Sequence, residues 1–525
     1  MMNNIYESTS SSNETKEQHS HNSEGVLEVL IQHQKNIPEK VKLDEALKLA
    51  GGFGLFQILV NIIIPLASTL EAIQNLSIVF VAKEAFWSCA TNSTICNNTR
   101  TKSSANGLYC SMSPKEWAFV NPDESIITQF RLDCSNTWKQ QLPTSIFHIG
   151  SIIGLFILGW LSDRFGRKMV MMPAYFFTLV IGLIGCASPN LEFLLVCYLL
   201  SGFCVPALMS SMTVLISEIA EPKHRAKSVS IIFLTWPLIL SLFGLTAYYI
   251  PNWRLLMLTV QLPFLIAWGA LFFVPESLQW LLTKDMIKAK TELDRIAYWN
   301  NSTISEQCAL VSDENSLENV NISTNSEHSS PLKLFNTLKM AKKSIIIGYA
   351  WITLNIVNYA VLLDSGNLGS TSLYVNFVCI ALVDVPAVLI NYITLDRIGR
   401  KKGTIFPSLV CIVALSVLAW MPGNGNNTMA RLSAAMVTRL FSSVSYFAMV
   451  TWTIEIYPTA IRSQGMGFAF AMAKVGLIIT PWVIKSSKAL SATAPQLLLL
   501  GLLSIQSGLL PLLPETNGKH LDSKT

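Results

Sequence analysis

The sequence predicts an all-α integral membrane protein of twelve membrane-crossing helices, arranged as two six-helix halves. Three observations carry that prediction. Charged residues make up 14% of the chain and hydrophobic ones 51%, whereas soluble domains carry roughly 25% charge. Apolar runs long enough to cross a bilayer recur along the whole length. Three short charged motifs each occur twice in the same order, as two parallel repeats would produce, and such repeats place a ligand site between the halves.

The first six runs are Leu49–Leu70, Gln140–Ser162, Met169–Leu191, Phe193–Ser217, Ser228–Trp253 and Leu255–Pro275. The second six are Ser344–Leu363, Ser365–Leu395, Gly403–Ala430, Leu432–Ile454, Ser463–Ile484 and Ala489–Pro514, three of them interrupted by a single charge. Each must be a helix, because an isolated strand leaves its backbone unsatisfied in lipid. The first run begins too deep in the chain for a signal peptide. The expected organisation is a cytoplasmic segment over 1–48, a first half over 49–275, a central cytoplasmic loop over 276–343, a second half over 344–514 and a tail over 515–525. The net charge of +5 resides in loops and implies no nucleic-acid partner.

Lys and Arg set the orientation. With both termini cytoplasmic, the loops bearing Arg164, Arg167, Lys168, Lys223, Arg225, Lys227, Arg397–Lys402 and Arg462 all fall inside, as does Lys284–Lys343. Residues 75–139 then lie outside, with Cys89, Cys96, Cys110 and Cys134 and the glycosylation signals at Asn92 and Asn97. Cysteines in an oxidising compartment pair, so two disulfides are expected, with three connectivities open. Asn300, Asn301 and Asn321 also match the signal but face the cytosol and should stay bare. Residues 1–25 and 300–330 have the composition of disordered segments. Lys284–Tyr298 has helical spacing of Ile287, Leu293, Ile296 and Ala297 and reads as a surface helix joining the halves. No metal or cofactor is expected; His19 and His21 in a polar tail are incidental.

The repeated motifs are Asp163-Arg164-Phe165-Gly166-Arg167-Lys168 with Asp396-Arg397-Ile398-Gly399-Arg400-Lys401, Glu218…Arg225 with Glu455…Arg462, and Pro275-Glu276-Ser277 with Pro514-Glu515-Thr516. The glycines permit a tight turn. Asp163 can accept bonds from helix N-terminal amides. The arginines can pair with acids, and Glu218 and Glu455 are placed to be those acids. Such a cluster can latch the cytoplasmic side and open when the halves rock. The plainer alternative is topology anchoring alone, but two copies at matched spacing favour gating.

These motifs resemble the major facilitator superfamily, and within it solute carrier family 22, the organic cation, anion and carnitine transporters. Asp44-Glu45-Ala46-Leu47 and Gly52-Phe53-Gly54-Leu55-Phe56-Gln57 resemble that family's start. Pro275-Glu276-Ser277-Leu278-Gln279-Trp280-Leu281, Glu455-Ile456-Tyr457-Pro458-Thr459-Ala460-Ile461-Arg462 and Pro514-Glu515-Thr516-Asn517-Gly518 resemble its later signatures. Two departures stand out: Leu278-Gln279 replaces a Pro-Arg pair, and the outer loop carries four cysteines where many members carry six.

Charges inside a membrane are costly and face a cavity or a partner. Asp384, Arg439 and Lys474 stand within the runs, all in the second half, with a net charge of +1. In the family, a basic residue at the position of Lys474 implies an organic anion and an acid implies a cation. Lys474 is therefore the expected partner of a substrate carboxylate, sulfate or phosphate; the alternative is a structural pair with Asp384. Arg439 is often basic in the family and either touches substrate or braces helices. Asp384 matches an acid common to both branches, which favours a conformational role. Val388 stands where anion carriers often place a further base.

Phe233, Trp236 and Trp351 are candidate walls of a broad pocket, and Asn355, Asn358 and Tyr359 share a helix face as candidate polar contacts. For any one aromatic, packing or lipid contact is the plainer reading. His148 could relay protons, although a lone membrane histidine is more often a helix-packing group. No Ser-His-Asp set, His-Glu-x-x-His or nucleotide loop is present, so no enzyme is expected. The expected function is a polyspecific plasma-membrane transporter of small organic anions or zwitterions, working by alternating access with a possible exchanged counter-anion. An organic cation or carnitine transporter is the second reading, and a non-transporting sensor on the same fold is the third.

Overall fold

Twelve helices are long and apolar enough to cross a membrane among the described residues of this computed structural model. The described residues are 39–84, 86–89, 101–102, 110, 112, 116–302, 308–311, 334–365, 372–421, 428–458, 461–491 and 493–517. The spans are α1 Leu55–Val81, α2 Cys134–Phe165, α3 Arg167–Cys186, α4 Leu191–Ile219, α5 Lys227–Tyr249 and α6 Trp253–Leu271 in the first half. In the second half they are α7 Leu338–Leu363, α8 Leu373–Leu395, α9 Arg400–Trp420, α10 Thr428–Ile456, α11 Gln464–Leu490 and α12 Ala494–Leu512. Nine of the expected runs end within about six residues of their helices; Ser365–Leu395 starts eight residues ahead of α8, and Gly403–Ala430 runs ten past the end of α9. The first run falls short: α1 runs on past Leu70 and carries Glu71 inside it.

Many hydroxyls inside these helices bond back to carbonyls one turn earlier, as Thr178 does to Ala174 (2.8 Å) and Ser408 to Thr404 (2.9 Å), and those add no unmet donor in an apolar medium. Close helix approach uses small residues. A Cβ on Gly150 or Gly154 of α2 would strike the α4 backbone at Leu199 or Phe203, and one on Gly202 of α4 would strike the α2 backbone at Phe147. Separate apolar cores form around Trp351, Trp452 and Tyr457 in the second half and around Phe147, Tyr198 and Trp253 in the first.

Within the segment 75–139, strands Phe86–Cys89, Thr101–Lys102 and Trp117–Phe119 form an antiparallel sheet. Trp87, Cys89, Trp117 and Phe119 bury against one another there. Cys110 and Cys134 form a disulfide, and Cys89 is disulfide-bonded as well. Cys96, Asn92, Asn97, Asn321, His19 and His21 lie outside the described residues.

The described residues within 39–57, 219–222 and 278–311 form a compact unit of their own. Its surface helix Met286–Trp299 is capped by Asp285, whose side chain accepts from the Lys288 amide (3.1 Å). Ala289, Leu293, Ile296 and Ala297 make its buried face. Ile287, expected on that face, is exposed, because at about 100° per residue it points well away from the stripe of the other four. The Asn300 side chain donates to the Ala50 carbonyl (2.8 Å) and the Gln57 side chain (2.9 Å) and accepts from the Phe56 amide (3.0 Å). Its amide is thus spent on holding the chain ahead of α1.

Candidate functional site

The charged motifs assemble by the same geometry in each half. Gly166 and Gly399 hold φ at 106° and 91°, a conformation that other residues avoid, and each breaks the chain between two helices. The helix that follows presents free amides. Glu276 accepts from the amides of Arg167 (2.9 Å), Lys168 (3.0 Å) and Met169 (3.3 Å). Glu515 accepts from those of Arg400 and Lys401, both at 3.1 Å. This capping was expected of Asp163. Asp163 instead sits in the last turn of α2, largely exposed, and pairs with Arg167 at 3.1 Å. The carboxylate that reaches the helix start comes from the Pro-Glu-Ser or Pro-Glu-Thr motif, where the anion meets the positive end of the helix dipole.

Arg400 pairs with Glu455 (3.0 Å), as expected, and Thr516 donates to the same carboxylate at 2.5 Å. In the first half the Ser277 hydroxyl donates to Glu218. Arg225 donates to the Ser217 carbonyl (3.1 Å). Arg164 lies over the Trp160 and Phe165 rings rather than on an acid. Arg462 keeps Nε and Nη2 buried without a partner, Arg397 is exposed, and only the backbone of Asp396 is described. Every pair named here closes within one half. The expected latch between halves is therefore, for these pairs, a clasp inside each half that moves with it.

Burial pushes the Glu515 carboxyl up, but the amides of Asn517, Lys401, Thr516 and Arg400 together outweigh it and hold the group below the usual carboxylate range. A depressed carboxylate stabilises the fold above its unfolded value and loses that contribution as pH falls through its folded value. Glu515→Gln should therefore lower the melting temperature at pH 7 in detergent. The gap between variant and parent should narrow as the pH drops below about 4. A gap independent of pH would refute the capping role.

The buried charges pair differently from expectation. Arg439 Nε donates to Asp384 Oδ1 (2.9 Å) and Nη2 to Oδ2 (2.5 Å). Arg439 also donates to the Asn358 carbonyl (2.6 Å), and Ser443 donates to Asp384 (2.7 Å). Asn358 Oδ1 accepts from Ser442 and Ser443 at 2.9 and 3.2 Å. Asp384, Arg439 and Asn358 thus form a satisfied network inside the second half. Lys474 does not pair with Asp384. Its partner is Glu71 on α1, at 3.4 Å. The sequence reading missed Glu71 because the run was closed at the first charge. The apolar pattern resuming at Ala72-Ile73 was the signal that the helix continues. With Glu71 counted, the charges of these four residues sum to zero rather than +1.

Four helices from both halves meet at this pair. Tyr359 on α7 donates to the Asn75 carbonyl on α1 (3.1 Å). His148 on α2 stands edge-on to the Tyr359 ring, centroids 6.1 Å apart. Nearby, Trp482 on α11 donates to Ser145 on α2 (2.7 Å), and Ser145 donates to the Ile478 carbonyl (3.1 Å). Within the segment 75–139, buried Lys83 pairs with Glu124 (2.9 Å) and reaches out to donate to the Tyr374 hydroxyl on α8 (2.9 Å).

The other pocket candidates separate into two groups. Phe233 packs edge-on against Phe447 across the halves (5.4 Å), and Trp236 is half-buried. Trp351, expected as a wall, is fully buried; its indole donates to Thr453 (3.1 Å) and its ring packs on Tyr446 and Phe470. It is core, because its helix turns that face into the second half. Asn355 donates to the Trp351 carbonyl of its own helix (2.8 Å).

Comparison with known proteins fits this architecture. Residues 62–523 match the family described as "Sugar (and other) transporter". The chain is 29% identical to solute carrier family 22 member 1 of Bos taurus over 425 residues, 79% of this chain and 73% of that one. It is 28% identical to solute carrier family 22 member 3 of Mus musculus, over 77% of this chain and 71% of that one. Among solved structures, the inward-open xylose transporter XylE from E. coli superposes with a TM-score of 0.61 at 16% identity, over 89% of this chain and 98% of that one. The partially occluded inward-open form gives 0.62 at 15% identity, over 89% of this chain and the whole of that one. The chain belongs to the sugar (and other) transporter family: it is a multi-pass transporter with the major facilitator fold, similar to members of solute carrier family 22.

Proposed function

We propose that the protein carries small organic anions or zwitterions across the plasma membrane by alternating access, with Lys474 as the group that receives the substrate's anionic end. The carrying observation is the contrast between the two buried ion pairs. Arg439 is clamped to Asp384 by two bonds and dressed by further partners. Lys474 meets Glu71 at 3.4 Å, across the two halves, and is the more accessible cation of the two. An ion pair that spans the halves and is held by one long contact is the one a substrate can open. In this reading the halves extend over 49–275 and 344–514, both termini are cytoplasmic, and the segment between α1 and α2 is outside. The motif clasps keep each half rigid while the two rock.

A second reading follows from Glu71, whose carboxylate could instead receive an organic cation. Uptake of labelled anions, zwitterions and cations, measured beside Lys474→Ala at matched surface level, separates the two. Loss of anion and zwitterion uptake by about 30-fold or more is expected, the usual effect of truncating one member of a buried charge pair. Cation uptake that survives in Lys474→Ala, with no anion uptake in the parent, would install the second reading.

A further inference from the structure

Around Lys474 the protein leaves hydrogen-bonding capacity unused. Glu71 Oε2, Asn75 Oδ1 and both ring nitrogens of His148 are buried with no hydrogen-bond partner among the described residues. His148 is fully buried and Glu71 is 6% exposed. Such groups are rare in folded proteins and call for an explanation. These belong together in space. Glu71 and Asn75 lie one turn apart on α1 and so share a face. Asn75 is tied through its carbonyl to Tyr359, and the Tyr359 ring faces His148. Lys474 touches Glu71.

The chemistry of the unused atoms defines what would satisfy them. Lys474 carries three donors, one of them directed at a single distant partner. Glu71 Oε2 and Asn75 Oδ1 only accept. His148 can do either. A complementary ligand needs an anionic group for Lys474 and, a few ångströms away, N–H donors for Glu71 and Asn75. A quaternary ammonium offers methyl groups and no N–H, and would bury both acceptors unmet.

We infer that the preferred substrate is a small zwitterion whose cationic end bears N–H, a primary or secondary ammonium, with its carboxylate on Lys474 and its N–H groups on Glu71, Asn75 and His148. This inference rests on the reading of Lys474 as the anion-receiving group and narrows it. A site that bonds N–H rejects the analogue lacking it far more sharply than an apolar pocket does.

The test is uptake of matched pairs by cells expressing the intact protein: glycine, β-alanine and 4-aminobutyrate, each against its N-trimethyl counterpart. At the chain length the site accepts, the N–H form should be taken up with a KM lower by about tenfold or more. Asn75→Leu and His148→Phe, compared at equal surface level, should shrink that ratio. The parent comparison stands even if a variant fails to reach the surface. Equal uptake, or preference for the trimethyl form, overturns the inference. So does uptake of simple carboxylates, sensitive to Lys474→Ala, with no zwitterion uptake, and that result leaves the anion reading standing. Absence of any Lys474-dependent anion or zwitterion uptake overturns both.

Discussion

Arg439→Met will strip the protein from the cell surface, and Asp384→Leu in the same chain will bring most of it back. The reason is the geometry of the pair. Arg439 and Asp384 are both nearly inaccessible and meet through two bonds, the second at 2.5 Å. Removing the guanidinium leaves a carboxylate in the apolar interior with only Ser443 for company. Breaking a buried pair from one side costs about 3–5 kcal/mol, a large part of a total stability of roughly 5–15 kcal/mol. Removing both charges abolishes that penalty, and apolar replacements of similar volume are often neutral. Surface biotinylation and melting in detergent would show a severe loss in Arg439→Met and recovery in the double variant. Normal surface level with lost uptake in Arg439→Met would instead make Arg439 a substrate ligand.

That distinction between bracing and binding was only half legible in the sequence. Helix positions were legible because lipid allows few solutions: a long apolar run must be a helix, and repeated motifs must be repeated turns. The identities of the motif acids and bases were legible too, and Arg400 with Glu455 met as expected. Which carboxylate caps which helix was not. Glu276 reaches the amides of α3 from far along the chain, while Asp163, closer in sequence, lies on the wrong side of the Gly166 turn. Local spacing cannot report a contact made by folding back. The pairing of the buried charges failed for a related reason. Sequence places Asp384, Arg439 and Lys474 along their helices but not in azimuth against a neighbouring helix. The acid that meets Lys474 had been left outside the span. Trp351 shows the same limit: an aromatic on a helix is legible, but the partner its face meets is not.

The second large effect concerns Glu71 and Lys474, and it runs opposite to the first. Here the loss should fall on uptake while the surface level stays closer to normal, because this pair is held by one contact at 3.4 Å and Lys474 keeps some access. Glu71→Gln leaves the volume and an accepting oxygen but removes the negative charge. Lys474 is then free of its internal competitor. Simple anions should be taken up with a lower KM, while zwitterions lose the partner of their cationic end and fall by about 30-fold or more. Lys474→Gln should do the mirror: anions and zwitterions are lost, and weak cation uptake appears at the bared Glu71. The exchanged chain, Glu71→Lys with Lys474→Glu, restores the pair and hence the fold, but reverses the dipole that a substrate meets. If the pair only joined α1 to α11, the exchange would restore uptake along with stability. If it reads the substrate, the exchange restores surface level alone, and a single uptake assay at matched expression decides between them. The order of the charges is then itself the recognition element, because a zwitterion lying between the halves must present its carboxylate to α11 and its cation to α1.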